Sequence, residues 1–414
     1  MTNAERLFRW QWTIFALSWL VYAVVYFGRV NLSVALPDIQ EELQVSLTQI
    51  GIISTAFFWM YAIGKLINGI IADKISTKWF VFVGIFIAGI SNIWFSVTHS
   101  LVLMIFIWSL NAYAQSGLWG SISTMLTSWF SYRQKAFIAV ILSTSMVGGY
   151  ILGWGLSGQL VVHSGWSTAF WVPGVVIVIV SIIWLFISKD HPQQIQLQSP
   201  NLYRQEAQRS DQIRTPLIKL IKKTKLSYIA IGGVAQGVVK DGIAIWAPIY
   251  LMQMHNLNLA EASWYVLFIP IMNFFGILAS GYINKLAKGN EKISSIILLV
   301  IGLLSLFGLL WVGSINLYGG LLFLGVCSAA MFGANTIIMG VIPMAYSKYN
   351  AVSSVSGYLD FCAYLATGVA FVITGWLVDQ FGWDIMINLW IGITVLGIMA
   401  LFRNYQYERR IMKG

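Results

Sequence analysis

Arg29 lies within YAVVYFGRVNLSVALP, residues 22–37, a stretch otherwise apolar enough to cross a bilayer. A central arginine costs roughly 3 kcal/mol on insertion scales, and it is tolerated where it faces a protein interior or a water-filled cavity. So placed, a guanidinium is an anion ligand, because its five donors form a planar fork that matches the oxygens of a phosphate or carboxylate. Lys240 repeats the arrangement, since Pro37 and Pro248 each stand eight positions after a basic residue. The two prolines lie 211 positions apart in a chain of 414, which is the offset expected of two tandem repeats. The chemistry on offer is the binding of a small anion by a pair of basic residues. Neither enzymatic activity nor a cofactor is expected, because the sequence holds no Walker loop, no metal-ligand cluster and no nucleophile with a partnered base.

Other polar residues stand inside apolar runs. Tyr22 and Tyr26 precede Arg29 by seven and three positions, spacings that keep them on its helical face. Lys65 comes eight residues before Asp73, about 12 Å above the following loop at 1.5 Å per residue. It either snorkels to cytoplasmic water or draws anions inward. Asp241 adjoins Lys240, and Asp360 lies ten residues into its apolar run, near the middle of the bilayer. An acid at that depth is either a proton carrier or part of an internal pair with Lys240 or Lys65. Cys327 and Cys362 read as buried thiols.

The elements that must position these residues are membrane spans. Charged residues make up 10% of the chain and hydrophobic ones 58%, against roughly 25% charged in soluble domains. Runs near 12–36, 48–71, 79–98, 101–127, 136–162 and 167–187 are long enough to span, and six more lie near 226–252, 260–284, 292–312, 315–343, 350–379 and 383–403. This is an all-α membrane fold of twelve transmembrane helices, two six-helix bundles at 1–187 and 226–414 related by a pseudo-two-fold axis along the membrane normal, joined by a basic linker at 188–225. Of the 25 Lys and Arg, all but Arg29, Lys65 and Lys240 fall on one side. The positive-inside rule then puts both termini and the linker in the cytoplasm, so the net charge of +10 reflects topology and not nucleic-acid binding. Glycine-rich stretches in the fifth and eleventh runs read as packing faces.

The loop GIIADKISTK, from Gly69 to Lys78, resembles the loop signature of the major facilitator superfamily, with Ser76 where that family usually has glycine. Together, YFGRVNLSVALP, GKLINGIIADK and WAPIYL resemble its organophosphate:phosphate antiporter branch, the glycerol-3-phosphate and hexose-6-phosphate carriers. The resemblance implies that Arg29 and Lys240 flank a central cavity and bind the phosphoryl group, Lys240 standing where the best-known carriers have arginine. It places phosphate-contacting tyrosines at Tyr22, Tyr26, Tyr61 and Tyr364, a cavity lysine at Lys65, and Ser145 where the branch has a histidine.

The expected function is exchange of a phosphorylated small metabolite for inorganic phosphate by alternating access, in a monomer of the inner cell membrane. Two alternatives stand beside it. One is proton-coupled symport of a hexuronate-type anion, whose family shares an RVNLSVA-like first helix but typically has an acid where this chain has Gly28. The other is a transporter-like sensor of external sugar phosphate.

Overall fold

A computed structural model describes residues 2–72, 74–131, 134–198, 200, 216–349 and 351–411. Asp73 and most of the expected linker lie outside the described residues. Every element among them is helical. In chain order these are α1 (Asn3–Leu43), α2 (Leu47–Ala72), α3 (Thr77–Ser96), α4 (Leu101–Gln115), α5 (Leu118–Trp129), α6 (Lys135–Tyr150), α7 (Ser157–Ser164) and α8 (Thr168–Ile187). They continue with α9 (Leu217–Thr224), α10 (Leu226–His255), α11 (Leu259–Tyr265), α12 (Phe268–Leu286), α13 (Glu291–Val312), α14 (Leu317–Asn335), α15 (Val352–Phe381) and α16 (Trp383–Ile411). Eleven candidate spans among the described residues are long and apolar enough to cross a membrane. The run expected at 136–162 is present as α6, a π-helical turn at Ile151–Leu156, and α7. That turn, ILGWGL, carries two glycines, which hold an α-helix weakly.

The chain forms two compact units, Met1–Leu32 with Ile63–Asp211, and Ser33–Ala62 with Gln212–Gly414. The boundary cuts α1 and α2 within their length, so the compact units do not follow the two halves of the sequence.

In the first unit α3 and α8 cross where Gly89 meets Gly174, and a Cβ on Gly174 would come within 2.9 Å of the Gly89 carbonyl. Lipid tails are as apolar as leucine, so such spans associate through close packing and interhelical hydrogen bonds. At one end, Asp190 caps α3. Its carboxylate accepts from the Ser76 hydroxyl and, at 2.7 Å, from the Lys78 amide. The serine that departs from the loop signature is thus bonded to Asp190, three residues beyond the end of α8.

The second unit ties α2 to α15. Asp379 accepts from the Leu47 amide at 3.3 Å, the Thr48 amide at 2.9 Å and the Thr48 hydroxyl at 2.7 Å. These amides begin α2 and lack partners within it, and a carboxylate there also meets the positive end of the helix dipole. One turn earlier, a Cβ on Gly375 would lie 2.4 Å from the Leu47 carbonyl, so the two backbones approach closely enough for Asp379 to reach. Further along, the Thr55 hydroxyl donates to the Gly368 carbonyl at 2.5 Å and the Trp59 indole donates to Leu365 at 3.0 Å. The short basic helix α9 packs Leu220 inward, and the Asn404 amide holds its end by donating to the Thr224 and Lys225 carbonyls at 3.0 Å each.

Asp379→Ala is expected to free the first turn of α2, at a cost of about 1 kcal/mol, typical of a lost helix cap. Hydrogen exchange should rise at Leu47 and Thr48 while the amides of α13 stay protected. Unchanged exchange at the start of α2 would show that the cap contributes nothing.

Candidate functional site

Arg29 owes its position to a break in α1. Gly28 has φ −85° and ψ 17°, outside helical values. The break turns its carbonyl out of the helical ladder, and a bare carbonyl inside a membrane span needs a donor. The Asn92 side-chain amide supplies one at 3.0 Å, and Asn111 another at 3.3 Å. Asn31 extends the net by donating to Asn92 Oδ1 at 3.0 Å and to the Ala169 carbonyl at 2.7 Å, while Gln115 donates to Asn111 Oδ1 at 2.7 Å. Asn31, Asn92 and Asn111 are fully buried. This amide cluster draws α1, α3, α4 and α8 together behind the arginine. A side chain at position 28 has to displace its neighbours, since a Cβ would lie 2.4 Å from Ile177 Cδ1 and 3.0 Å from Asn92 Nδ2.

On the same helix the Arg29 guanidinium lies over the Tyr26 ring, 5.3 Å from its centroid. A cation over an aromatic face gains about 0.5–2 kcal/mol, depending on desolvation. Tyr26 packs against Tyr22 at 5.4 Å and Tyr150 at 5.5 Å between centroids, Tyr22 against Trp119 at 4.8 Å, and Tyr150 against Trp154 at 5.0 Å. Tyr150 reaches α1 because its neighbour is glycine, where a Cβ on Gly149 would sit 2.2 Å from the Tyr26 Cβ. The structure therefore joins three expected residues, Tyr22, Tyr26 and Arg29, with Tyr150, Trp119 and Trp154, which the sequence reading did not single out.

Lys65, on α2 in the same unit, is half-buried. Ser145 is fully buried on α6, and its hydroxyl donates to the Leu142 carbonyl of its own helix at 2.5 Å.

Tyr61 and Tyr364, expected from distant parts of the sequence, meet edge to face in the second unit with centroids 5.0 Å apart. Phe57 stacks on Tyr61 at 6.1 Å and Phe58 packs on Tyr364 at 5.9 Å. Asp360, half-buried, stands one turn before Tyr364 on α15.

Lys240 sits in the middle of α10, whose residues from Ala235 to Leu251 are all buried. Its Nζ lies 2.6 Å from Asp241 Oδ1 and 5.2 Å from the Phe332 ring centroid. The acid paired with Lys240 is thus its own neighbour, not Asp360. Among the described residues no group of three or more His, Cys, Asp or Glu could hold a metal ion. Each unit offers donors, Arg29, Tyr22 and Tyr26 in the first and Lys240, Tyr61 and Tyr364 in the second.

Gly28→Ala is expected to overpack this region and destabilise the protein by about 1–3 kcal/mol. Ile177→Val removes the Cδ1 in its way at a cost of about 0.5–1.5 kcal/mol alone. The double variant should unfold at a higher temperature in detergent than Gly28→Ala. Strictly additive losses would mean that Ile177 does not confine position 28.

Comparison with known proteins identifies the family. The chain is 24% identical to a probable hexose phosphate transport protein of Chlamydia trachomatis serovar D, over 95% of this chain and 90% of the relative. It is 26% identical to the membrane sensor protein UhpC of Escherichia coli K12, over 97% and 94% of the two chains, and 26% identical to a hexuronate transporter of Bacillus subtilis 168, over 88% and 87%. The fold matches that of a bacterial homolog of the human lysosomal transporter Spinster, with a TM-score of 0.77, 13% identity and 98% of each chain covered. The model of the Major Facilitator Superfamily matches residues 18–370. The chain belongs to that superfamily, as a multi-pass membrane protein of a transporter family and not an enzyme.

Proposed function

We propose that this protein carries a phosphorylated small metabolite across the cell membrane in exchange for inorganic phosphate. The observation that carries the reading is Arg29, kept at a helix break by buried amides and laid over Tyr26 within a tyrosine-rich cluster. A guanidinium can lie against an aromatic ring and still present N–H donors to an anion. Lys240 is the second basic ligand, and Tyr22, Tyr26, Tyr61 and Tyr364 supply hydroxyl donors. Support also comes from the motif likeness to the organophosphate branch and from a relative named as a hexose phosphate transport protein.

Alternating access follows from this reading. Two six-helix bundles, 1–187 and 226–414, would rock about a binding site near the bilayer midplane. Basic side chains are too costly to reorient across a bilayer without an anion, which favours exchange over uniport. The distribution of lysine and arginine supports an inner-membrane location with both termini in the cytoplasm.

A hexuronate-type symporter is the second reading, and it draws on the relative of that name. Against it stands position 28, where the acid typical of that family would have to displace Ile177 and Asn92. The sensor reading draws on the likeness to UhpC and predicts binding without transport.

The test is counterflow of radiolabelled phosphate in proteoliposomes, challenged with unlabelled organic phosphates and carboxylates. The expected result is phosphate exchange inhibited by organic phosphates and indifferent to an uncoupler. Arg29→Lys should abolish it while the protein still inserts, because lysine keeps the charge but loses the planar fork. Near-normal exchange by Arg29→Lys would make Arg29 a structural residue. Uptake that collapses with an uncoupler would favour symport.

A further inference from the structure

We propose that Asp241 is a specificity-determining residue that sets how much negative charge the anion bound at Lys240 can carry. This rests on the reading of Lys240 as a substrate ligand.

Two observations lead there. The first is the contact itself, a 2.6 Å ion pair between side chains that are only 11% and 7% exposed. The second is its sequence separation. Side chains at i and i+1 diverge on a helix and do not normally face each other. Here both fold back to meet, so the pair is local to α10 and requires no other helix. Such a pair travels with its helix and persists until a ligand competes for the ammonium.

An ammonium has three donors. One serves Asp241 Oδ1, and the ring of Phe332 lies 5.2 Å from Nζ on another side. A substrate oxygen that joins Asp241 on this ammonium is attracted by the lysine and repelled by the carboxylate. Both energies scale with the charge on the substrate. The carboxylate therefore penalises a dianion about twice as much as a monoanion of the same shape. Lys240 alone would favour the dianion, and Lys240 with Asp241 narrows the preference.

The prediction is a change in a ratio. Glucose 6-phosphate, mainly a dianion at pH 7.5, and glucuronate, a monoanion, serve as probes, and their inhibition constants are measured in phosphate counterflow. In Asp241→Asn the preference for the dianion should rise at least tenfold over wild type. Asp241→Glu, which keeps the charge, should stay within about threefold of wild type. A ratio that does not move in Asp241→Asn while exchange persists would overturn the proposal.

A second comparison covers the case in which Asp241→Asn does not transport. Binding is then read as ligand-induced thermal stabilisation of purified protein. Lys240→Gln leaves the carboxylate without its lysine, so it should bind glucose 6-phosphate more weakly than Lys240→Gln/Asp241→Asn, by at least tenfold. Equal affinities would show that Asp241 acts only by holding Lys240, and the proposal fails.

The organophosphate reading fails separately, if glucose 6-phosphate and phosphate do not bind the wild type. In that event the same ratio is read with glucuronate and the dianion glucarate. A wild type that binds none of these anions would overturn both.

Discussion

Everything here depends on keeping charge inside a medium that solvates it poorly. Within a span an ionised side chain needs a partner, a wet cavity or a route to the interface. Arg29 and Lys240 meet the requirement in different ways. At Arg29 the backbone is bent first, at Gly28, and buried amides satisfy the carbonyl that the bend exposes. An aromatic face then receives the guanidinium. At Lys240 the helix is unbroken, and an adjacent carboxylate shares the charge.

Close helix contact is what brings the remaining partners within reach. With lipid on the outside, burying leucine gains little over leaving it in the bilayer, and association rests on dispersion and on interhelical hydrogen bonds. Both fall off within an ångström or two, so they demand positions without side chains. Gly149 lets α6 lie against α1 and so sets Tyr150 on Tyr26, and Gly375 lets α15 lie against α2 and so sets Asp379 on the amides of Leu47 and Thr48. A glycine at these sites places the polar residue next to it or one turn away.

Much of this was legible in the sequence, and the remainder was hidden for physical reasons. Hydropathy marks spans because a bilayer has a fixed thickness, and a helical period of 3.6 puts Tyr22 and Tyr26 on the face of Arg29. Family likeness alone singled out Tyr61 and Tyr364, and their meeting was not legible, since no periodicity links residues on separate helices. Gly28 drew notice only as a missing acid. Its role as a bend was unreadable, because Asn92 and Asn111 stand 64 and 83 positions away. A signal was nonetheless present, in that Asn31, Asn92, Asn111 and Gln115 all interrupt apolar runs where an unpaired amide is costly. Asp360 drew attention by its depth, as a proton carrier or a partner for Lys240 or Lys65, and the structure pairs Lys240 with Asp241. Ser145, set by likeness at a cavity position, spends its hydroxyl on its own helix. Tyr150 and Phe332 gave no signal, since aromatic residues are common in spans.

The difference between the two basic residues has a consequence that goes beyond their separate environments. Arg29 stands beside a helix bend with its guanidinium over the Tyr26 ring, and a guanidinium stays charged and presents a planar fork. A lysine beside a carboxylate is directionally loose, and its attraction for a ligand is offset in part by the neighbour's repulsion. Arg29 thus offers a directed fork, and Lys240 offers a charge tempered by its neighbour. Two positions with the same spacing to a proline, Arg29 to Pro37 and Lys240 to Pro248, therefore hold their charge by different means. The Lys240–Asp241 pair is made within α10 alone, whereas the bend at Gly28 is satisfied by amides from α3 and α4.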